Sequence, residues 1–171
     1  MRSPVVAAFL LLLAWAGDAI AADAWSEYRS EPAGFLVQFP ADPAVTRQPI
    51  EGQPGSTETQ FMVDQGAVAY MVMVSEYPSN SLPRSPDGAY FTTLRDTFAQ
   101  ATQGKVRTSR PLNIGPYSGS EAVIDNAPNV YVVHFYIVGD RLYQVLTGGP
   151  NGHEGSENAH RFLDSFRLIV Q

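Results

Sequence analysis

The run Val130-Tyr131-Val132-Val133-His134-Phe135-Tyr136-Ile137-Val138 has one polar interruption, His134, in a series that is otherwise β-branched or aromatic. Such residues favour extended backbone, and a strand apolar on both faces belongs inside a sheet that is covered on both sides. Gly139-Asp140 follows at once, and then Arg141 to Thr147. A two-residue loop between two such runs closes a tight hairpin. Alternation puts Tyr131, Val133, Phe135 and Ile137 on one face, while Val132 and Tyr136 flank His134 on the other. Any fold for this chain must therefore bury both sides of a sheet.

The remaining segments supply that sheet and its cover. Gly34 to Pro40 alternates Phe35, Val37 and Phe39 and is stopped by Pro40, and Trp25 to Arg29 can pair with it across Glu31-Pro32-Ala33-Gly34. Thr57 to Val63 leads through Asp64-Gln65-Gly66 into Val68 to Tyr77, which is apolar on both faces through its middle and belongs inside the sheet. Further strands are expected near Val106 to Leu112 and Tyr117 to Asp125. A helix is expected from Pro86 to about Gln103, capped by Ser85, with Tyr90, Phe91, Leu94, Phe98 and Ala101 on its apolar stripe and Gly104 as the left-handed residue at its end. Ser156 caps a second helix in which Ala159, Phe162, Leu163 and Phe166 recur at i, i+3, i+4 and i+7. Pro43 to Ser56 and Pro78 to Pro86 read as long connections, the places where recognition commonly sits. The expected class is α+β, an α-β-α sandwich with an antiparallel sheet of six to seven strands flanked by two main helices.

The start of the chain reads as an export signal. Arg2 is the positive region, Val5 to Ala16 an apolar run too short to span a bilayer, and Ala19-Ile20-Ala21 the small-residue cleavage site. Residues 1–21 are thus expected to be a signal peptide and 22–171 one domain, periplasmic or secreted, soluble, with no stable membrane insertion after cleavage. There is no cysteine, so neither lipid attachment at a cleavage-site cysteine nor a disulfide framework is available. The net charge is −6 and Lys105 is the one lysine; only Lys105, Arg107 and Arg110 cluster, which argues against nucleic acid as a partner.

The stretch Thr147-Gly148-Gly149-Pro150-Asn151-Gly152-His153-Glu154-Gly155-Ser156-Glu157-Asn158-Ala159-His160 concentrates glycines, histidines and glutamates that could cradle phosphate or hold a metal. Its glycines match neither phosphate-cradling spacing and no lysine lies nearby. On a continuous helix His153, Glu157 and His160, joined by Asp164, would share a face and could hold zinc; that requires the helix to begin before Gly155. The competing reading is a solvated face with Glu157–Arg161 and His160–Asp164 pairs. His134 is either a hydrogen-bonded interior imidazole or an acid-base group in an aromatic cleft with Tyr136 and Tyr143. Gly115-Pro116-Tyr117-Ser118-Gly119 is not a nucleophile elbow. No residue is assigned as catalytic, cofactor-binding or metal-binding, and no cofactor is expected.

Tyr28 to Pro40, Gly139-Asp140-Arg141-Leu142-Tyr143-Gln144-Val145 and Arg161-Phe162-Leu163-Asp164-Ser165-Phe166 together resemble the opening hairpin and the closing strand and helix of the PsbP-like family. The resemblance implies an α-β-α sandwich and a non-catalytic accessory role: the family includes an extrinsic photosystem II subunit, and a nuclear Ran-binding factor shares the fold. It transfers no residue role. The expected function is an exported binding domain that recognises a protein or envelope component, and the alternative is a small-ligand or hydrolytic pocket around His134.

Overall fold

The hairpin at Gly139-Asp140 forms as its sequence requires, with Val138 opposite Arg141 and Asn129 opposite Pro150. A computed structural model describes residues 25–169; the expected signal peptide lies outside them. In chain order the described elements are β1 (Ser26–Ser30), β2 (Phe35–Phe39), β3 (Ala44–Pro49), β4 (Thr57–Asp64), β5 (Ala69–Glu76), α1 (Gly88–Ala101), β6 (Lys105–Ile114), β7 (Tyr117–Asn126), β8 (Asn129–Val138), β9 (Arg141–Pro150), a 3₁₀ turn (His153–Gly155), α2 (Glu157–Ser165) and β10 (Arg167–Leu168). Seven strands make one antiparallel sheet in the order β3-β4-β5-β9-β8-β7-β6, and β1-β2-β10 make a second of three. The strands apolar on both faces, β5 and β8, lie inside the larger sheet.

Two apolar clusters lie on opposite faces of that sheet. On the inner face, Phe61, Val72, Val132, Tyr136, Tyr143 and Val145 meet Phe35, Val37 and Phe39 of β2 and Phe162, Leu163 and Phe166 from α2 and its end. On the outer face, Ala122, Ile124, Val133, Phe135 and Ile137 meet Phe91, Leu94 and Phe98 of α1. The α+β layering expected from sequence is therefore present, with the small sheet sharing the inner layer with α2.

The opening hairpin forms as expected and packs face to face over the large sheet and α2: Phe35 meets Phe61 of β4 at 5.0 Å and Phe39 meets Phe162 of α2 at 5.2 Å between ring centroids. Several local expectations are corrected. The chain does not close on α2, because Arg167 and Leu168 then pair with Leu36 and Phe35. Pro43 to Ser56 is not one loop, since Ala44–Pro49 is an edge strand whose six residues are all exposed and carry no hydrophobic alternation to read. The cap of α1 is Asp87, not Ser85: its carboxylate accepts the Tyr90 N–H at 2.9 Å. Ala99, not Ala101, is buried in the helix. The left-handed residue at its end is Gln103, with φ 54°, and Gly104 donates back to the Ala99 carbonyl at 2.8 Å. Gly104 is needed for space, because a Cβ there would lie 2.5 Å from Ile124 Cγ2.

Candidate functional site

The glycine-rich stretch is architecture. Strand β9 continues through Gly148, Gly149 and Pro150, the 3₁₀ turn holds His153, and α2 begins at Glu157 under a Ser156 cap that accepts the Ala159 N–H at 3.1 Å. The helix therefore starts after Gly155, and His153, Glu157 and His160 share no continuous helical face. His153 points inward, with Nε2 2.7 Å from Thr147 Oγ1 and Nδ1 3.3 Å from Ser156 Oγ; Glu157 and His160 are exposed. Among the described residues no three His, Asp or Glu side chains converge as a metal site would require. The anticipated Glu157–Arg161 pair is replaced: Arg161 donates to Gln38 Oε1 at 2.8 Å and lies 5.1 Å above the Trp25 ring.

His134 is an interior imidazole. It is 5% exposed. Its Nε2 lies 2.9 Å from a Glu121 carboxylate oxygen, and its Nδ1 lies 3.3 Å from the Tyr136 hydroxyl. Arg110 clasps the same carboxylate with two bonds of 2.7 Å. The hydrogen bond from His134, with help from Arg110, holds the Glu121 carboxyl down at about 2, and burial pushes the Tyr136 phenol up to about 12. Sequence alone did not single out Glu121, which reaches His134 only through the β7–β8 register. His134 and Tyr136 are both buried. Tyr143 borders a hollow of about 430 Å³, but its hydroxyl is spent on the Ala33 carbonyl at 2.9 Å. The three aromatic-cleft residues are thus neighbours in packing and do not converge on a shared cleft.

Both arginines of the basic cluster are committed to carboxylates. Arg107 pairs with Asp125 and Glu154, and Arg110 with Glu121. A hollow of about 520 Å³ between the opening hairpin and the β3–β5 edge carries Arg47 and Glu76, which bond to each other at 3.0 Å.

An apolar strip without a covering helix lies on the outer face of the large sheet. Helix α1 lies against β6 and β7, and Phe98 reaches β8, 6.3 Å from Tyr131 and 6.1 Å from Phe135. Beyond Tyr131 no described helix covers the sheet. Register places Met62, Met71 and Leu146 in one row across β4, β5 and β9, and Asp64, Ala69 and Gly148 in the next, ending at Tyr131. These residues line a hollow of about 460 Å³. Met62 is 38% exposed, and with Met71 and Leu146 beside it the exposed apolar surface is continuous across three strands. Gly148 is required there, because a Cβ would stand 2.5 Å from Tyr131 Cδ1 and displace the ring that forms the wall.

No family model and no curated protein matches this chain. In structure it is similar to the solution structure of cyanobacterial PsbP (CyanoP) from Synechocystis sp. PCC 6803. The likeness covers 88% of this chain and 95% of that one at a TM-score of 0.57 and 12% sequence identity. Identity that low carries the fold and no residue roles. With its layers, its two helices and that likeness in place, the chain has a PsbP-like α+β fold.

Proposed function

We propose that this chain is an exported, non-catalytic accessory domain that binds a protein or other envelope component through the outer face of its large sheet. The observation that carries the reading is the uncovered apolar strip of Met62, Met71 and Leu146 beside Tyr131, on a sheet whose other half is covered by α1. Contiguous exposed apolar surface on a folded domain is the usual mark of an interaction site. The signal-like segment Arg2 to Ala21 supports a periplasmic or secreted location, and no described helix is long and apolar enough to cross a membrane. The non-catalytic part rests on the spent chemistry, since His134 and His153 are both committed to interior hydrogen bonds, and on the accessory role that the PsbP-like resemblance implies.

A photo-reactive amino acid placed at position 62 in the producing cell should give a discrete higher-mass adduct in the exported fraction. The same group at Thr92, exposed on α1, is the control. Adduct formation at both positions alike, or at neither, would count against the outer face as the binding surface.

A further inference from the structure

We infer that the occupant of the outer face is a basic amphipathic helix of another protein, lying beside α1 and completing the outer layer. This rests on the binding-domain reading above and adds the shape and charge of the partner. The shape follows from the sheet. Strands lie about 4.8 Å apart, so β4, β5 and β9 present a strip whose outer strand axes are about 10 Å apart, matching the ~10 Å body of one helix and the 8 to 10 Å at which helices sit side by side. The outer face of β5 runs Ala69, Met71 and Met73, with Gln60 and Gln144 beside Met73 closing the apolar floor, a length that about two and a half helical turns would cover. Helix α1 already occupies the other half of the same face, packing with the same kind of stripe.

The side chains suit such an occupant. Apart from Met1, every methionine of the chain stands on this strip: Met62, Met71 and Met73. Unbranched thioethers adjust to an incoming apolar ridge, as grooves that take amphipathic helices require. The charge is one-sided. The outer-facing residues of β4 are Glu58, Gln60, Met62 and Asp64, so a carboxylate stands at each end of the strip, and no Lys or Arg faces outward from β4, β5 or β9 within it. Glu58 is held by the amides of Gln48 and Gln60, and Asp64 by the Gly66 N–H at 2.8 Å; neither has a cationic partner among the described residues. Two uncompensated carboxylates around an apolar floor call for Lys or Arg flanking an apolar stripe. A second copy of this chain, with its net charge of −6, is poorly suited.

A display library of unconstrained 16-residue peptides, selected on the immobilised protein, tests this directly. Enriched sequences should repeat apolar residues at i, i+3, i+4 and i+7 with Lys or Arg beside them. Capture should fall at least tenfold with Met62→Glu, a substitution at an already exposed position whose folding is checked by circular dichroism. The double variant Glu58→Lys/Asp64→Lys should shift the enriched flanking residues from basic to acidic. Enrichment of alternating, period-two sequences, or no charge shift with the double variant, would overturn the helix or its basic character while leaving the docking face intact. Peptide capture insensitive to Met62→Glu would remove the docking face and the function proposed for it together.

Discussion

Single side chains in this molecule have fixed hydrogen-bond directions. Thr147 Oγ1 donates to the Ala69 carbonyl at 2.9 Å, so it accepts from His153 Nε2–H at 2.7 Å. Nδ1 of the same ring is then free of a proton and accepts from the Ser156 hydroxyl, which in turn accepts the Ala159 N–H at the head of α2. Neutral imidazole satisfies both bonds, whereas a proton on Nδ1 would take from the Ser156 hydroxyl its acceptor in the ring. Burial pushes the His153 pKa below its usual 6.5, against a weaker opposing pull from Glu154. The unfolded state therefore binds protons more readily than the folded one. The stability that His153 contributes is present in full above about pH 6.5 and falls as the pH drops toward the lower folded-state value. Urea unfolding at pH 7.5 and pH 5 should show a loss at the lower pH. In His153→Gln that loss should shrink, with stability at pH 7.5 lower by about 1 kcal/mol for the broken chain.

At the scale of elements, the ends of α1 carry most of the local information. Gly104 N–H reaches the Ala99 carbonyl and Gln103 N–H the Gln100 carbonyl at 3.1 Å, a closing turn that puts Gln103 in the left-handed region, where a side chain costs about 1 kcal/mol. Gln103 is exposed, so Gln103→Gly should raise stability by about 0.5 kcal/mol after the entropy of glycine is charged, seen as a higher urea midpoint with unchanged slope. Gly104, three positions beyond Ala101, has the look of a helix-ending glycine, but closeness to Ile124 and not backbone freedom fixes it. Legibility follows the same physics elsewhere. Helix α2 was readable because Ala159, Phe162, Leu163 and Phe166 each face the core, and β8 and β9 because a two-residue loop leaves one register. Strand β3 was unreadable because a fully exposed edge strand has no contrast between its faces. The outer strip was unreadable for another reason: Met62, Met71 and Leu146 become neighbours only through two strand registers, one of them joining β5 to the distant β9. Likewise His134 could be suspected alone, but not its partner Glu121.

At the scale of the whole molecule, the inner of the two cores is closed by residues from both ends of the described chain. Phe166 stacks on Phe35 at 5.6 Å, on Tyr136 at 5.9 Å and leans on Tyr143 at 5.8 Å, so one ring joins β2 of the small sheet to β8 and β9 of the large one. Polar ties run the same way: Tyr143 to the Ala33 carbonyl, Arg141 to the Pro32 carbonyl at 3.0 Å and the Gln38 N–H to Ser165 Oγ at 2.9 Å. The small sheet has no separate core, since Phe35, Val37 and Phe39 are fully buried only by the large sheet and α2. It cannot persist after that face opens, and the two sheets should unfold together. Phe166→Ala tests this. Removing a buried ring from such a junction costs about 3 to 5 kcal/mol, and the loss should appear as one transition moved to lower urea. In protein produced without residues 1–21, and so without Trp15, Trp25 is the remaining tryptophan, and it packs on Tyr70 at 5.2 Å. Its fluorescence and the far-ultraviolet circular dichroism should therefore give the same midpoint in the variant as in the parent protein. An early fluorescence change, with most of the dichroism retained, would mean that the hairpin detaches by itself and that the two sheets are separate cooperative units.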